Sequence, residues 1–219
     1  MIKLLLGMTG VSLPVGLVYL NVSYPDVRGR IFFSVVALVI ASVKIWESFF
    51  TSKEKKALKY HGDWTLILTS FLYLLAGLFI MSEFFILNRG LNVYLIVLGA
   101  IIVICAATLR RLSIVALGNQ WAIHALGESK LFSKHILTIK GPYKYIRHPI
   151  YLSYIMDLVG LSVLFGAFYS LVFIIMVNIP SYLSRARNEE KSSIRRFGPE
   201  YAVYVAKTPL MLPRIFRKS

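Results

Sequence analysis

Cysteine is nearly absent from this chain, with Cys105 alone among 219 residues. A single thiol can close no internal disulfide and offers no pair for a zinc site or a dithiol redox centre. Histidine is also sparse: His61, His124, His135 and His148 show none of the short spacings, such as i, i+4, by which metal ligands share a helix face, so no metal is expected. Acidic residues number 10 against 25 Lys and Arg, a formal charge of +15. An excess of that size suits either nucleic acid or membrane topology, and no nucleic-acid motif accompanies it. Internal repeats and Pro-, Gly- or Ser-rich linkers are missing too, so one domain over 1–219 is expected, with membrane helices in 1–109 and the polar motifs in 110–219.

What is abundant is apolar sequence: 57% of residues are hydrophobic and the mean hydropathy is +0.68, values of a polytopic membrane protein. Runs long enough to cross a bilayer as helix, about 20 residues, cover Ile2 to Val22, Ile31 to Phe50, Trp64 to Leu87 and Leu91 to Leu109. A further run from Pro149 to Pro180 is too long for one helix, and Gly166 beside Ala167 predicts a hairpin of two shorter helices. The expected fold is an all-α polytopic bundle of four long transmembrane helices plus that hairpin, about six crossings, topped by a cytoplasmic cap. The first helix, lacking a small-x-small cleavage site, is taken as retained.

The placement of the cations supports this topology. With a cytoplasmic N-terminus, that side receives Lys3, Lys53, Lys55, Lys56, Lys59, the seven of 110–147 and the nine of 185–218. The other side receives Arg28, Arg30 and Arg89, while Lys44 lies within the second span. This is the positive-inside asymmetry, and it returns the C-terminus to the cytoplasm. The cap is expected from two segments. Arg110 to Arg147, with Trp121, Ile123, Leu126 and Leu131, reads as interfacial; Ser181 to Phe197 reads as a helix leaving the membrane, ended by Gly198-Pro199, with a second helix from Glu200 to Lys207.

Two polar clusters flank the hairpin and predict one pocket. The first runs Gly141-Pro142-Tyr143-Lys144-Tyr145-Ile146-Arg147-His148-Pro149-Ile150-Tyr151. Pro149 suits the first helical position, which puts His148 at the N-cap, where unpaired N–H groups and the Arg147 charge favour an anion. Lipid anchoring is the alternative for an Arg-His pair alone. Tyr151 and Tyr154 share a helix face and offer walls for a flat ring or a sulfonium, Tyr154 serving equally well in an interfacial aromatic belt. Asp157 deeper in the helix is expected to line the pocket or to meet Lys44, and Lys44 with Glu47 can neutralise each other. The second cluster is Arg185-Ala186-Arg187-Asn188-Glu189-Glu190. Arg185 and Glu189 stand i, i+4, a spacing equally common in surface ion pairs. Glu189 or Glu190 could take a proton or orient a head group.

These residues resemble the membrane-embedded methyltransferases that include isoprenylcysteine carboxyl methyltransferase and the phospholipid methyltransferases. The shared pattern is Gly-x-Tyr at Gly141 and Tyr143, Arg-His-Pro-x-Tyr at Arg147 to Tyr151, Arg185 with Glu189-Glu190, Phe197-Gly198 with Tyr201, and a late Pro213, preceded by Leu126-Gly127 and Phe132-Ser133. The resemblance covers roughly the last hundred residues. It implies S-adenosylmethionine held by Tyr143, Arg147, His148, Tyr151, Glu190 and Tyr201, with Arg185 and Glu189 positioning a lipidic acceptor, either a prenylcysteine-type carboxylate or a phospholipid-type amine. The partners implied are that acceptor and membrane lipid. Where the family usually has Gly two residues after the motif Tyr, this chain has Ser153. Two competing readings are an NADPH-dependent sterol or isoprenoid reductase, whose Arg-His is followed by a different pattern from Pro149-Ile150, and a non-enzymatic transporter or assembly protein using Asp157, Lys44, Glu47 and Glu83.

Overall fold

The structure, a computed structural model, describes residues 21–52, 64–118 and 136–212, without the side chains of 41 and 43–52. The expected first span apart from its last residues, the interfacial group Trp121 to Leu131, Phe132-Ser133, Pro213 and the side chains of Lys44 and Glu47 lie outside the described residues. Those residues form helices α1 (Val27–Ser52), α2 (Trp64–Ile86), α3 (Val93–Leu117), α4 (Pro149–Leu164), α5 (Phe168–Phe197) and α6 (Pro199–Lys207), with one 3₁₀ turn at Gly141–Lys144. Among them α2, α3 and α5 are long and apolar enough to cross a membrane.

Local chemistry sets the helix ends. Asp26 accepts the Arg28 and Gly29 N–H groups ahead of α1, and Asn92 those of Tyr94 and Leu95 at the start of α3. Each satisfies N–H groups that have no intrahelical acceptor. Gly166, at φ +64°, ends α4 at the expected turn, with Ala167 N–H on the Ser162 carbonyl. Glu83, on α2, closes the start of α5 from outside: its carboxylate accepts Ser170 N–H and Oγ–H, both at 2.8 Å, and Tyr169 N–H at 3.2 Å, and pairs with Arg89. A negative charge at a helix N-terminus is stabilising there, so a structural task accounts for this acid.

Two expectations are corrected. The hairpin arms are unequal. The second does not stop at Pro180 to restart as a separate cap helix at Ser181 but runs on to Phe197. A π-helical turn at Ile174–Asn178, with the Ile179 N–H on the Ile174 carbonyl, takes up the register defect just before the proline, which has no N–H to give. The fourth span likewise continues past Leu109 to Leu117. Arg110, read as the first residue of the interfacial cap segment, is therefore a residue of the fourth span and only 2% exposed.

The core has two centres. An aromatic cluster of Tyr24, Phe33, Phe84, Phe85 and Phe165 sits where α2 and α4 end. At the other end of α4, Ile114, Tyr143, Ile150, Tyr151, Tyr182, Ala186 and Met211 pack together. Between them α3 and α4 cross closely at Gly99 and Gly160: a Cβ on Gly99 would stand 2.5 Å from the Leu164 backbone nitrogen and 2.6 Å from the Gly160 carbonyl oxygen. Small residues at such a crossing let backbones approach where lipid leaves van der Waals packing as the main attraction.

Candidate active site at the mouth of α4

His148 is the N-cap of α4 and Pro149 its first residue, as their order predicts. The His148 side chain makes no cap bond. Instead the backbone around it is tied to the C-terminal segment, Arg147 N–H to the Pro209 carbonyl at 2.9 Å and His148 N–H to that of Leu210 at 3.0 Å. Residues 208–211 thus form one wall of the site, a contribution invisible to side-chain motifs because main-chain bonds are blind to sequence.

The two polar clusters meet. Arg185, 2% exposed on α5, donates through Nε to the Tyr151 hydroxyl at 2.6 Å and through Nη1 to Thr69 Oγ1 of α2 at 3.3 Å, and its Nη2 lies 3.3 Å from Glu189 Oε1. Tyr151 O–H in turn donates to Glu189. The i, i+4 pair is therefore no surface ion pair. A buried guanidinium, a phenol and a carboxylate close a ring of hydrogen bonds, each satisfying a group whose burial would otherwise be costly. The Arg185 guanidinium also lies 5.5 Å from the Tyr151 ring centre.

Beside this ring stands the second pair. Arg147 Nε donates to Glu190 Oε1 at 2.5 Å, and its Nη1 to the carbonyls of Val205 and Thr208. Its charge is thus matched by one carboxylate and used to hold the C-terminal segment. His148 lies between the acids, Nδ1 3.8 Å from Glu189 and Nε2 3.5 Å from Glu190, and its ring stacks on Tyr151 at 5.5 Å and 5°. At 3.5 Å the Nε2 contact is too long for a well-formed hydrogen bond. That buried atom and the buried Tyr143 hydroxyl have no hydrogen-bond partner, which leaves both able to bond to water or a ligand.

Tyr201 and Tyr204 close the far side from α6. Tyr204 O–H donates to the Tyr143 carbonyl at 2.6 Å, and Tyr201 packs on Phe197. Burial, then the Glu190 charge, pushes the Tyr201 phenol up to about 12, and burial followed by the Glu189 charge raises Tyr143 well above the usual phenol range. Both stay neutral O–H donors at physiological pH. All eight residues singled out in the sequence, Tyr143, Arg147, His148, Tyr151, Arg185, Glu189, Glu190 and Tyr201, therefore surround one place. Thr69, Tyr182, Tyr204 and the segment 208–211 join them without having been foreseen. Ser153 is fully buried and returns its hydroxyl to the Ile150 carbonyl at 2.7 Å.

Asp157 pairs with Arg110; the side chain of Lys44, which it was expected to meet, lies outside the described residues. Tyr154, read equally as belt or pocket, stacks its ring on Tyr182 at 6.1 Å and takes the Arg110 guanidinium on its face at 5.3 Å.

Comparison with known proteins supplies the chemical context. Residues 97–195 match the model of the isoprenylcysteine carboxyl methyltransferase (ICMT) family. Three curated proteins named protein-S-isoprenylcysteine O-methyltransferase are similar to this chain. That of Schizosaccharomyces pombe is 29% identical over 131 residues, 60% of this chain and 54% of the relative. That of Saccharomyces cerevisiae is 33% identical over 119 residues, 54% and 49%, and that of Xenopus laevis 29% over 122 residues, 56% and 42%. The matched stretch spans about half the length of these relatives. It contains Tyr143, Arg147, His148, Tyr151, Arg185, Glu189 and Glu190; Tyr201 lies beyond the family match.

Proposed function

Because residues 97–195 match the model of the isoprenylcysteine carboxyl methyltransferase family, we propose that this protein transfers a methyl group from S-adenosylmethionine to the carboxylate of a prenylated cysteine, at the cytoplasmic face of a membrane. The observation that carries this reading is the Tyr151 hydroxyl held between the buried Arg185 and Glu189. A carboxylate acceptor is already ionised at neutral pH and needs no general base. It needs a cation to aim it and a site from which water is kept, since methyl transfer is an in-line displacement governed by alignment. Arg185 supplies the cation, with its fork fixed by three partners. Glu189, whose own charge opposes a second carboxylate, holds Arg185 and the Tyr151 hydroxyl in place rather than accepting a proton.

The residues opposite fit the cofactor. His148 Nε2 and the Tyr143 hydroxyl are buried without partners, Glu190 presents a carboxylate to an amino group, and the parallel faces of His148 and Tyr151 suit a sulfonium or a flat base. Arg147 and Tyr201 hold Glu190 and the C-terminal wall around that space. Bound there, S-adenosylmethionine supplies an electrophilic methyl on sulfur. The apolar helices α2, α3 and α5 support a prenyl chain lying in the bilayer, and the cations of 110–147 and 185–218 support a cytoplasmic mouth for α4. In this reading residues 110–219 form the catalytic part and α2 lends Thr69.

The test is calorimetric titration of purified protein with S-adenosylhomocysteine and, separately, NADPH, in wild type, His148→Ala and Glu190→Ala. Wild-type binding of S-adenosylhomocysteine, weakened at least about tenfold in both variants, is expected. Binding of NADPH alone would transfer the protein to the reductases, and binding of neither would leave a non-enzymatic membrane protein.

A further inference from the structure

Beneath the site lies a second charged centre with no part in the scheme above. Arg110 of α3 and Asp157 of α4, 2% and 5% exposed, form an ion pair inside the helix bundle. For packing alone such a pair is a poor choice, since the desolvation of two charges offsets their attraction and apolar side chains of similar volume often serve as well or better. Its surroundings suggest what it does. The flat guanidinium of Arg110 lies 5.3 Å from the centre of the Tyr154 ring, whose edge or face is met by Tyr73 of α2 at 5.6 Å. Tyr154 stacks on Tyr182 of α5 with 15° between planes, and Tyr182 leans on Tyr151 at 5.7 Å. The row of rings ends at the hydroxyl that Arg185 and Glu189 share.

We propose that Arg110 and Asp157 are positioning residues: Asp157 fixes the guanidinium plane, that plane fixes the tilt of Tyr154, and the rings Tyr154 and Tyr182 transmit it to Tyr151 and so to the acceptor side of the site. The inference rests on the methyltransferase reading. It assigns the pair to acceptor alignment, because the row of rings leads through Tyr182 to Tyr151, whose hydroxyl is shared by Arg185 and Glu189. Coupling of this kind is established only by showing that it survives separation from stability.

Two variants make that separation. Arg110→Lys keeps a charge for Asp157 but has no planar face for Tyr154. Arg110→Met with Asp157→Leu removes both charges and keeps the volume. In purified protein, initial rates with S-adenosylmethionine and N-acetyl-S-farnesylcysteine are measured beside melting temperature and S-adenosylhomocysteine affinity. Both variants are expected to melt close to wild type and to bind S-adenosylhomocysteine within about twofold, yet to lose about tenfold or more in kcat/KM for the acceptor. Should the double variant not fold, Arg110→Lys carries the same comparison. Near wild-type kcat/KM in a folded variant overturns the proposal and leaves the pair a packing element; a parallel loss of S-adenosylhomocysteine affinity overturns it as well. Failure of the underlying reading looks different, for then the wild type itself neither binds S-adenosylhomocysteine nor methylates the probe.

Discussion

Removing one oxygen tests the centre of the site. Tyr151→Phe keeps the ring that stacks on His148 and leans on Tyr182, and deletes only the hydroxyl that accepts from Arg185 Nε at 2.6 Å and donates to Glu189. A hydrogen bond to a charged group contributes about 1.5–3 kcal/mol. Arg185 retains Glu189 and Thr69, each at 3.3 Å, so it is not stranded, and the lower part of that range, about 2 kcal/mol, applies. If the ring of hydrogen bonds must be intact when the acceptor is aligned, that energy appears in the barrier and lowers kcat/KM about 30-fold. The assay is the initial rate of methyl transfer to a prenylcysteine, with melting temperature measured on the same preparations. Thr69→Val, which removes a longer bond to the same guanidinium, is the control and is expected to cost less than about threefold. A Tyr151→Phe protein within threefold of wild type would refute the reasoning, and so would a loss matched by Thr69→Val, because the effect would then belong to Arg185 burial in general.

Further predictions concern the scaffold. Glu83→Ala removes the acceptor of three hydrogen bonds at the start of α5 and should destabilise by about 3 kcal/mol, a drop in melting temperature of about 10 °C. Affinity for S-adenosylhomocysteine should not change, since the 16 residues of α4 separate this end from the site by about 24 Å; weakened binding in folded protein would show that Glu83 has a task beyond the helix start. At the α3–α4 crossing, Gly99→Ala meets backbone at 2.5 Å, whereas Gly160→Ala meets Val103 Cγ2 at 2.8 Å, Ile102 Cγ2 at 3.0 Å and the Gly99 carbonyl oxygen at 3.1 Å. Thermal unfolding should therefore rank Gly99→Ala, at about 3 kcal/mol, above Gly160→Ala, at about 1 kcal/mol, and the reverse order would contradict the crossing described.

Much of the site was legible because its residue types announce local structure. Pro after His148 marks a helix start, Gly166 a turn, and Arg185 with Glu189 a shared face, so convergence of the two clusters followed from placing a hairpin between them. The partner of Asp157 was missed because the apolar run stops at Leu109 and charge was taken to mark the start of the interfacial cap. Yet Gly99, Ala106, Arg110 and Ser113 recur at 7, 4 and 3 residues and are all buried, a helix face that continues through the arginine. Pro180 misled in the opposite sense, since a proline inside a helix is legible as a break while the π turn that accommodates it has no side-chain signature. Thr69 looked like one polar residue in an apolar span, and only the fold brings it to Arg185.

The π turn of α5 also settles a question of phase. Ser170, Ile174, Asn178, Tyr182 and Ala186 are all buried, a spacing of four throughout. On an unbroken α-helix with 3.6 residues per turn, sixteen residues would rotate the last of these about 160° from the first. One extra residue absorbed in the wide turn takes back about 100°, leaving the stripe within about 60°. Without that correction, on a helix whose first turn packs on Glu83, Arg185 and Glu189 would stand about 60° and 100° from the direction of Ser170, whereas with it they stand within about 40°. The same 30-residue rod can thus be anchored at one end by Glu83 and carry Arg185 and Glu189 at the other, with the change of angle made once, in the middle.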